Sequence, residues 1–178
     1  MKDTPTQYDQ QSARCRELFR SKMMDYGTNW RILRLSSLTD QLLIKATRIR
    51  NIESAGTQKV ADSVEGEYIG IVNYSLIALV QHALPEDAPM ELAPDFALRC
   101  YDEALAETRR LMLAKNHDYG EIWRDMRISS LTDMILGKIY RIRQIEDNEG
   151  RTIASEGVDA NYQDIINYAL FALIRLNE

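Results

Sequence analysis

The densest set of chemically capable side chains lies in the last quarter of the chain, where Glu156, Asp159, Asp164 and Asn167 follow the cations Lys138 and Arg141. In a helix running on from Glu156, steps of about 100° put Asp159 about 60° to one side. Asn167 then falls about 20°, and Asp164 about 80°, to the other. These groups share one broad face. Carboxylates spaced this way on a helix that descends into apolar surroundings suit Mg²⁺, a hard cation that takes oxygen ligands and keeps waters for a phosphate. Glu156, Asp159 and Asp164 are therefore candidate catalytic residues, and with Asp133 from the preceding helix they form the candidate metal set. A structural role fits some of them equally well. Glu156 and Asp159 suit a helix dipole as first-turn acids, and Asp133, like Asp40, suits the third position after a serine cap.

Lys138 and Arg141 stand three apart and are neighbours on one helix face, as are Lys45 and Arg48. Beside a carboxylate centre they could hold phosphates, with arginine as a fork and lysine as a point charge. Further upstream, Lys115, Tyr119 and Trp123 gather around the segment DYGxxWR. Its rings suit stacking on a base and its lysine suits a phosphate, although Trp123 and Trp30 would equally plug the gap between two helices. With Asn167, these residues make up the candidate nucleotide-binding set. His82 and His117 have no partner spacing, and neither is assigned a role.

The elements that must position these residues come in two copies. Lys22 to Ala55 aligns with Lys115 to Asn148 at a constant offset of 93, and 19 of the 34 positions are identical. One inserted residue then shifts the offset to 94, and Tyr68, Asn73 and Tyr74 match Tyr162, Asn167 and Tyr168. Two similar units follow. The first helix of each is expected to open at Pro5 or Asp95 and to stop at Gly27 or Gly120. The second opens at Ser37 or Ser130 and ends near Gly56 or Gly150. The third starts near Asp62 or Ser155, and its nearly all-round apolar surface marks it as the buried one. The expected fold is all-α: two tandem three-helix repeats packed as one helical bundle, with the first repeat at 1–84, a proline-rich acidic linker at 85–94 and the second repeat at 95–178. A homodimer is compatible with units this small. The carboxylate stripe is only partly kept in the first copy, where Ile69 and Gly70 replace Gln163 and Asp164. One working centre per chain, or one shared between the halves, is therefore expected.

Composition bounds the function. The chain has 178 residues, 45% hydrophobic and 28% charged, with a net charge of −5, which argues against a strong nucleic-acid surface. Its apolar runs fall short of the roughly 18 to 20 residues that cross a bilayer, so no membrane partner is expected. The start MKDTPTQYDQQ lacks the apolar core of a secretory signal, and Cys15 and Cys100 fit neither a zinc spacing nor a disulfide framework. A cytoplasmic protein is expected.

KNHDYG at 115–120, Lys138-x-x-Arg141-Ile142, and Glu156 followed by D-x-x-N-Y-A at 164–169 resemble the nucleotide modification associated domain family, type 1. The first copy repeats much of the pattern as KMMDYG, Lys45 to Ile49, and Asn73-Tyr74. That resemblance implies association with nucleotide or DNA base modification. A more distant likeness is to the MazG-like all-α nucleoside triphosphate pyrophosphohydrolases, which bind Mg²⁺ through two acidic pairs. Glu156-x-x-Asp159 is similar to the second pair, whereas Asp133 is followed by Leu136 where the first pair would need another acid. The expectation is a protein that handles a nucleotide or nucleoside triphosphate, with Mg²⁺-dependent hydrolysis as the catalytic form of it. A non-catalytic helical binding or oligomerisation module is the alternative.

Overall fold

A computed structural model describes residues 3–178; Met1 and Lys2, which the sequence reading places in the first repeat, lie outside the described residues. The described residues form six α-helices: α1 (Thr4–Tyr26), α2 (Leu35–Ala55), α3 (Val64–Ala83), α4 (Pro94–Tyr119), α5 (Ile128–Asp147) and α6 (Val158–Leu176). There is no strand among the described residues, and no helix is long and apolar enough to cross a membrane. α3 and α6 are the central pair. They pack on each other and on α2 and α5 respectively, α2 and α5 also touch, and α1 and α4 each reach both central helices. The sequence explains the centre: Tyr162, Ile165, Ile166, Ala169 and Leu170 on α6, with Tyr68, Ile71, Val72, Leu76 and Ala78 on α3, bury residues on nearly every side. The result is an all-α bundle.

Glycine ends the first helix of each repeat. Gly27 and Gly120 have φ of +64° and +66°, a region that an L side chain enters only with strain, and short 3-10 turns carrying Trp30 and Trp123 follow them. The starts of the other helices differ from the expectation. α2 begins at Leu35 and α5 at Ile128, because Arg34 and Arg127 stand at the N-cap in extended backbone and their carbonyls already accept from the Ser37 and Ser130 amides, each at 3.0 Å. Those serines are therefore inside the helix, and Asp40 and Asp133 are not capping-box partners. α3 begins at Val64, capped by the Ser63 hydroxyl, which accepts from the Gly66 amide at 2.9 Å. α6 begins at Val158, three residues later than expected, which leaves Glu156 in the preceding loop.

Reciprocal polar pairs, buried for the tyrosines and solvent-facing for the arginines, lock the halves together. The Tyr8 hydroxyl on α1 donates to Asn167 Oδ1 on α6 at 2.8 Å, and the Tyr101 hydroxyl on α4 donates to Asn73 Oδ1 on α3 at 2.8 Å. Tyr162 meets Thr39 and Tyr68 meets Thr132, each at 2.7 Å. Arg16 clasps Asp102 through two bonds of 2.7 and 2.9 Å, and Arg109 clasps Asp9 through two of 2.7 and 2.8 Å. Each pair joins one repeat to the other and has its counterpart at the repeat offset. Such i-to-j and j-to-i exchange is the signature of a two-fold interface, here within one chain. The segment between α3 and α4 is fastened to the first repeat as well: the Thr28 hydroxyl donates to the Met90 carbonyl at 3.0 Å and accepts from the Leu92 amide at 2.9 Å.

Candidate functional site

The two-fold arrangement creates two equivalent cavities, one per repeat, each walled by the first helix, its 3-10 turn, the second helix and the third. The second-repeat cavity holds about 370 Å³ and is lined by Lys115, Asn116 and Tyr119 of α4, Trp123, Lys138 of α5, and Asp164, Asn167, Tyr168 and Phe171 of α6. Met112, Met126, Met134 and Ile122 supply apolar wall. A volume of this order suits a small ligand, and an apolar lining with a few fixed polar groups is usual for such sites.

Asp164 organises the polar end. Its carboxylate is nearly buried, and its two oxygens accept from Lys115 Nζ at 2.6 Å and from Lys138 Nζ at 2.8 Å. Burial disfavours the charged ammonium of Lys115, but the hydrogen bond and the charge of Asp164 outweigh it and hold this lysine above its ordinary range. Burial also raises the Tyr168 phenol, and the neighbouring Asp164 charge adds to the rise. Asn167 lines the cavity with its amide already engaged, accepting from Tyr8 and donating to the Thr108 carbonyl at 3.3 Å. The Trp123 ring stacks on Phe171 at 4.2 Å and carries the Arg124 guanidinium 4.3 Å from its centroid. Its Nε1–H, by contrast, is buried without a hydrogen-bond partner. Tyr119 is 70% exposed at the rim, which leaves its ring free to meet a planar ligand.

Lys138 also borders an adjoining depression of about 640 Å³ that is lined by Arg141, Asn148, Arg151, Thr152, Ser155 and Glu156, among others. Five of the six candidate nucleotide-binding residues, Lys115, Tyr119, Trp123, Lys138 and Asn167, thus share one cavity. Arg141 stands next door.

The candidate metal set does not gather. Glu156 is exposed in the loop before α6. Asp159 is 63% exposed and lies 3.8 Å from His82 of the other repeat, and Asp133 is 60% exposed beside Arg50 at 3.7 Å. Asp164 alone reaches the cavity, and both its oxygens face ammonium groups. Among the described residues no three His, Cys, Asp or Glu side chains form a group that could hold a metal ion. There are two reasons: the late start of α6 leaves Glu156 outside the helix, and Asp159 and Asp164, about 140° apart around α6, fall on opposite sides of the burial boundary. These residues do not fit Mg²⁺, which needs several converging oxygens.

The first-repeat cavity, about 230 Å³, is lined at equivalent positions by Lys22, Tyr26, Trp30, Lys45, Asn73 and Tyr74, with Gly70 in the place of Asp164. Residues that the sequence reading missed are Tyr8 and Tyr101, the donors that orient the two asparagines. A signal for them exists, since the offset of 93 continues upstream of Lys22 and pairs Tyr8-Asp9 with Tyr101-Asp102 and Arg16 with Arg109.

A family model described as nucleotide modification associated domain 1 matches the chain twice, over residues 22–82 and 115–176. Each match begins at a cavity lysine, Lys22 or Lys115, and ends on the third helix of its repeat. No curated protein and no solved structure matches the chain.

Proposed function

From the premise that the chain belongs to the nucleotide modification associated domain 1 family and carries the domain in both repeats, we propose that the second-repeat cavity binds a nucleotide without a metal. One observation carries the reading: Lys138 is shared between an apolar cavity of base-and-sugar size and a neighbouring depression that bears Arg141 and Arg151. The base lies against Tyr119 and the methionine-rich wall, where flat apolar faces and polarisable side chains suit a heterocycle. The Trp123 ring, held against Phe171, adds a flat face to the same wall. Phosphate leaves the cavity past Lys138 towards Arg141, which has no ion-pair partner among the described residues. Asp164 has a positioning part: it holds Lys115 and Lys138 in the wall at fixed geometry.

Isothermal titration of the full chain in EDTA with a panel of deoxynucleoside mono- and triphosphates tests this. Saturable binding of at least one of them, weakened about tenfold or more by Arg141→Ala and by Lys138→Ala, is the expected result. Binding that appears only with added Mg²⁺, or none across the panel, overturns it.

The reciprocal tyrosine–asparagine and tyrosine–threonine bonds favour a second reading for part of the motif. Asn73, Asn167, Tyr68 and Tyr162 keep the repeats in register, as in a non-catalytic helical module.

A further inference from the structure

We infer that the first-repeat cavity is a separate anion site, built to take the phosphate group of a ligand beside Gly70, the residue that replaces the carboxylate of the second repeat. The second repeat supplies the template. There, two lysines at equivalent positions close on one oxyanion, the Asp164 carboxylate, at 2.6 and 2.8 Å. The first repeat keeps both cations as Lys22 and Lys45, in the wall of its own cavity, and has Gly70 in the place of the acid.

The charge left behind is not fully balanced. Lys22 is exposed and has no ion-pair partner among the described residues. Lys45 Nζ lies 3.6 Å from Glu67, whose other oxygen takes Arg48 at 3.0 Å. Two cations therefore share one carboxylate while Lys22 has none, and Glu67 corresponds to a neutral residue, Asn161, in the other copy. Gly70 leaves room for this arrangement: a Cβ there would stand 2.8 Å from Lys45 Cε, so the lysine stem lies where a larger residue's side chain would begin. Trp30 walls the same cavity and is only 7% exposed, so its ring reports on what fills the space. A tetrahedral oxyanion offers acceptors to Lys22 and Lys45 at once.

This inference stands apart from the nucleotide reading of the second repeat, and the two can fail separately, because the chain has two tryptophans and one lies in each cavity. In a Trp123→Phe chain, Trp30 emission is titrated with inorganic phosphate, and then with deoxynucleoside monophosphates. The expected result is a saturable change with phosphate, about tenfold weaker in Lys22→Ala, whose side chain is exposed, and in Gly70→Asp, which supplies an internal carboxylate. A monophosphate that binds tenfold or more tightly than phosphate identifies a nucleotide as the source of the group. Equal affinities identify free phosphate. In the complementary Trp30→Phe chain, Asp164→Gly is expected to make Trp123 newly responsive to phosphate. No saturable response of Trp30 up to about 10 mM phosphate, or equal affinity in wild type and Lys22→Ala, would overturn the inference.

Discussion

Replacing Asp164 by alanine separates a carboxylate that holds the cavity together from one that serves chemistry at the expense of stability. The side chain is 8% exposed and accepts two charge-assisted hydrogen bonds, from Lys138, 17% exposed, and from Lys115, 45% exposed. A hydrogen bond to a charged group contributes about 1.5–3 kcal/mol. The Lys115 bond is screened by solvent and counts for about 1 kcal/mol at most. Removal also leaves two ammonium groups facing each other without a counter-charge. The expected loss is about 3 kcal/mol, or a fall in Tm of roughly 6–12 °C for a chain of this length. Asp164→Asn keeps the shape and one acceptor and should lose about half as much. Urea unfolding at pH 7 reads both values, and the double variant Asp164→Ala/Lys138→Met should be less destabilised than the sum of its parts. A wild-type or raised stability in Asp164→Ala would refute the reasoning, since that is how a strained functional acid behaves.

Other outcomes follow from the same contacts. Tyr8→Phe and Tyr101→Phe each strand a buried asparagine oxygen and should cost about 1–2 kcal/mol in urea unfolding, while surface Tyr26→Phe should cost nothing measurable. Burial raises the carboxyls of Glu146 and Glu53 above 4.5, against the lowering effect of the Thr39 and Thr132 hydroxyls. Their contribution is fully present below about pH 4.5 and is lost as pH rises through the raised values. Glu53→Gln/Glu146→Gln should therefore gain stability relative to wild type between pH 4.5 and pH 7, a difference in urea midpoints from which the opposite slope of Glu65 cancels. Gly56→Ala, at φ +72° in open space, should cost about 1 kcal/mol. Gly27→Ala should cost more, because its Cβ would also strike the Glu91 carboxylate that accepts from the Thr28 amide.

The repeat, the helix count and the buried third helices were legible because apolar periodicity and a fixed offset survive in the residues themselves. Helix starts were less so. Arg34, Arg127 and Gly157 cap α2, α5 and α6 without a side-chain bond, whereas Ser37 and Ser130 offer a cap signal from inside the helix. That displacement took Glu156 out of the stripe, and burial split the other two acids, because Asp159 and Asp164 stand about 140° apart around α6, one exposed and one buried. The cavity residues fared better, since Lys115, Tyr119, Trp123 and Lys138 are kept in both copies and the backbone brings them together. Asn167 shows the limit of that logic, because a residue kept in both copies can serve the interface between them, and its partner Tyr8 lies upstream of the segment first aligned.

The most direct test of the nucleotide cavity uses the indole region of a ¹⁵N–¹H correlation spectrum, where two tryptophans give two Nε1–H resonances. Adding a deoxynucleotide in EDTA is predicted to shift the Trp123 resonance in a saturable way, and to lose that effect in Arg141→Ala at the same concentration. A Trp123 resonance that stays fixed while every nucleotide tried is raised to millimolar concentration would contradict the account.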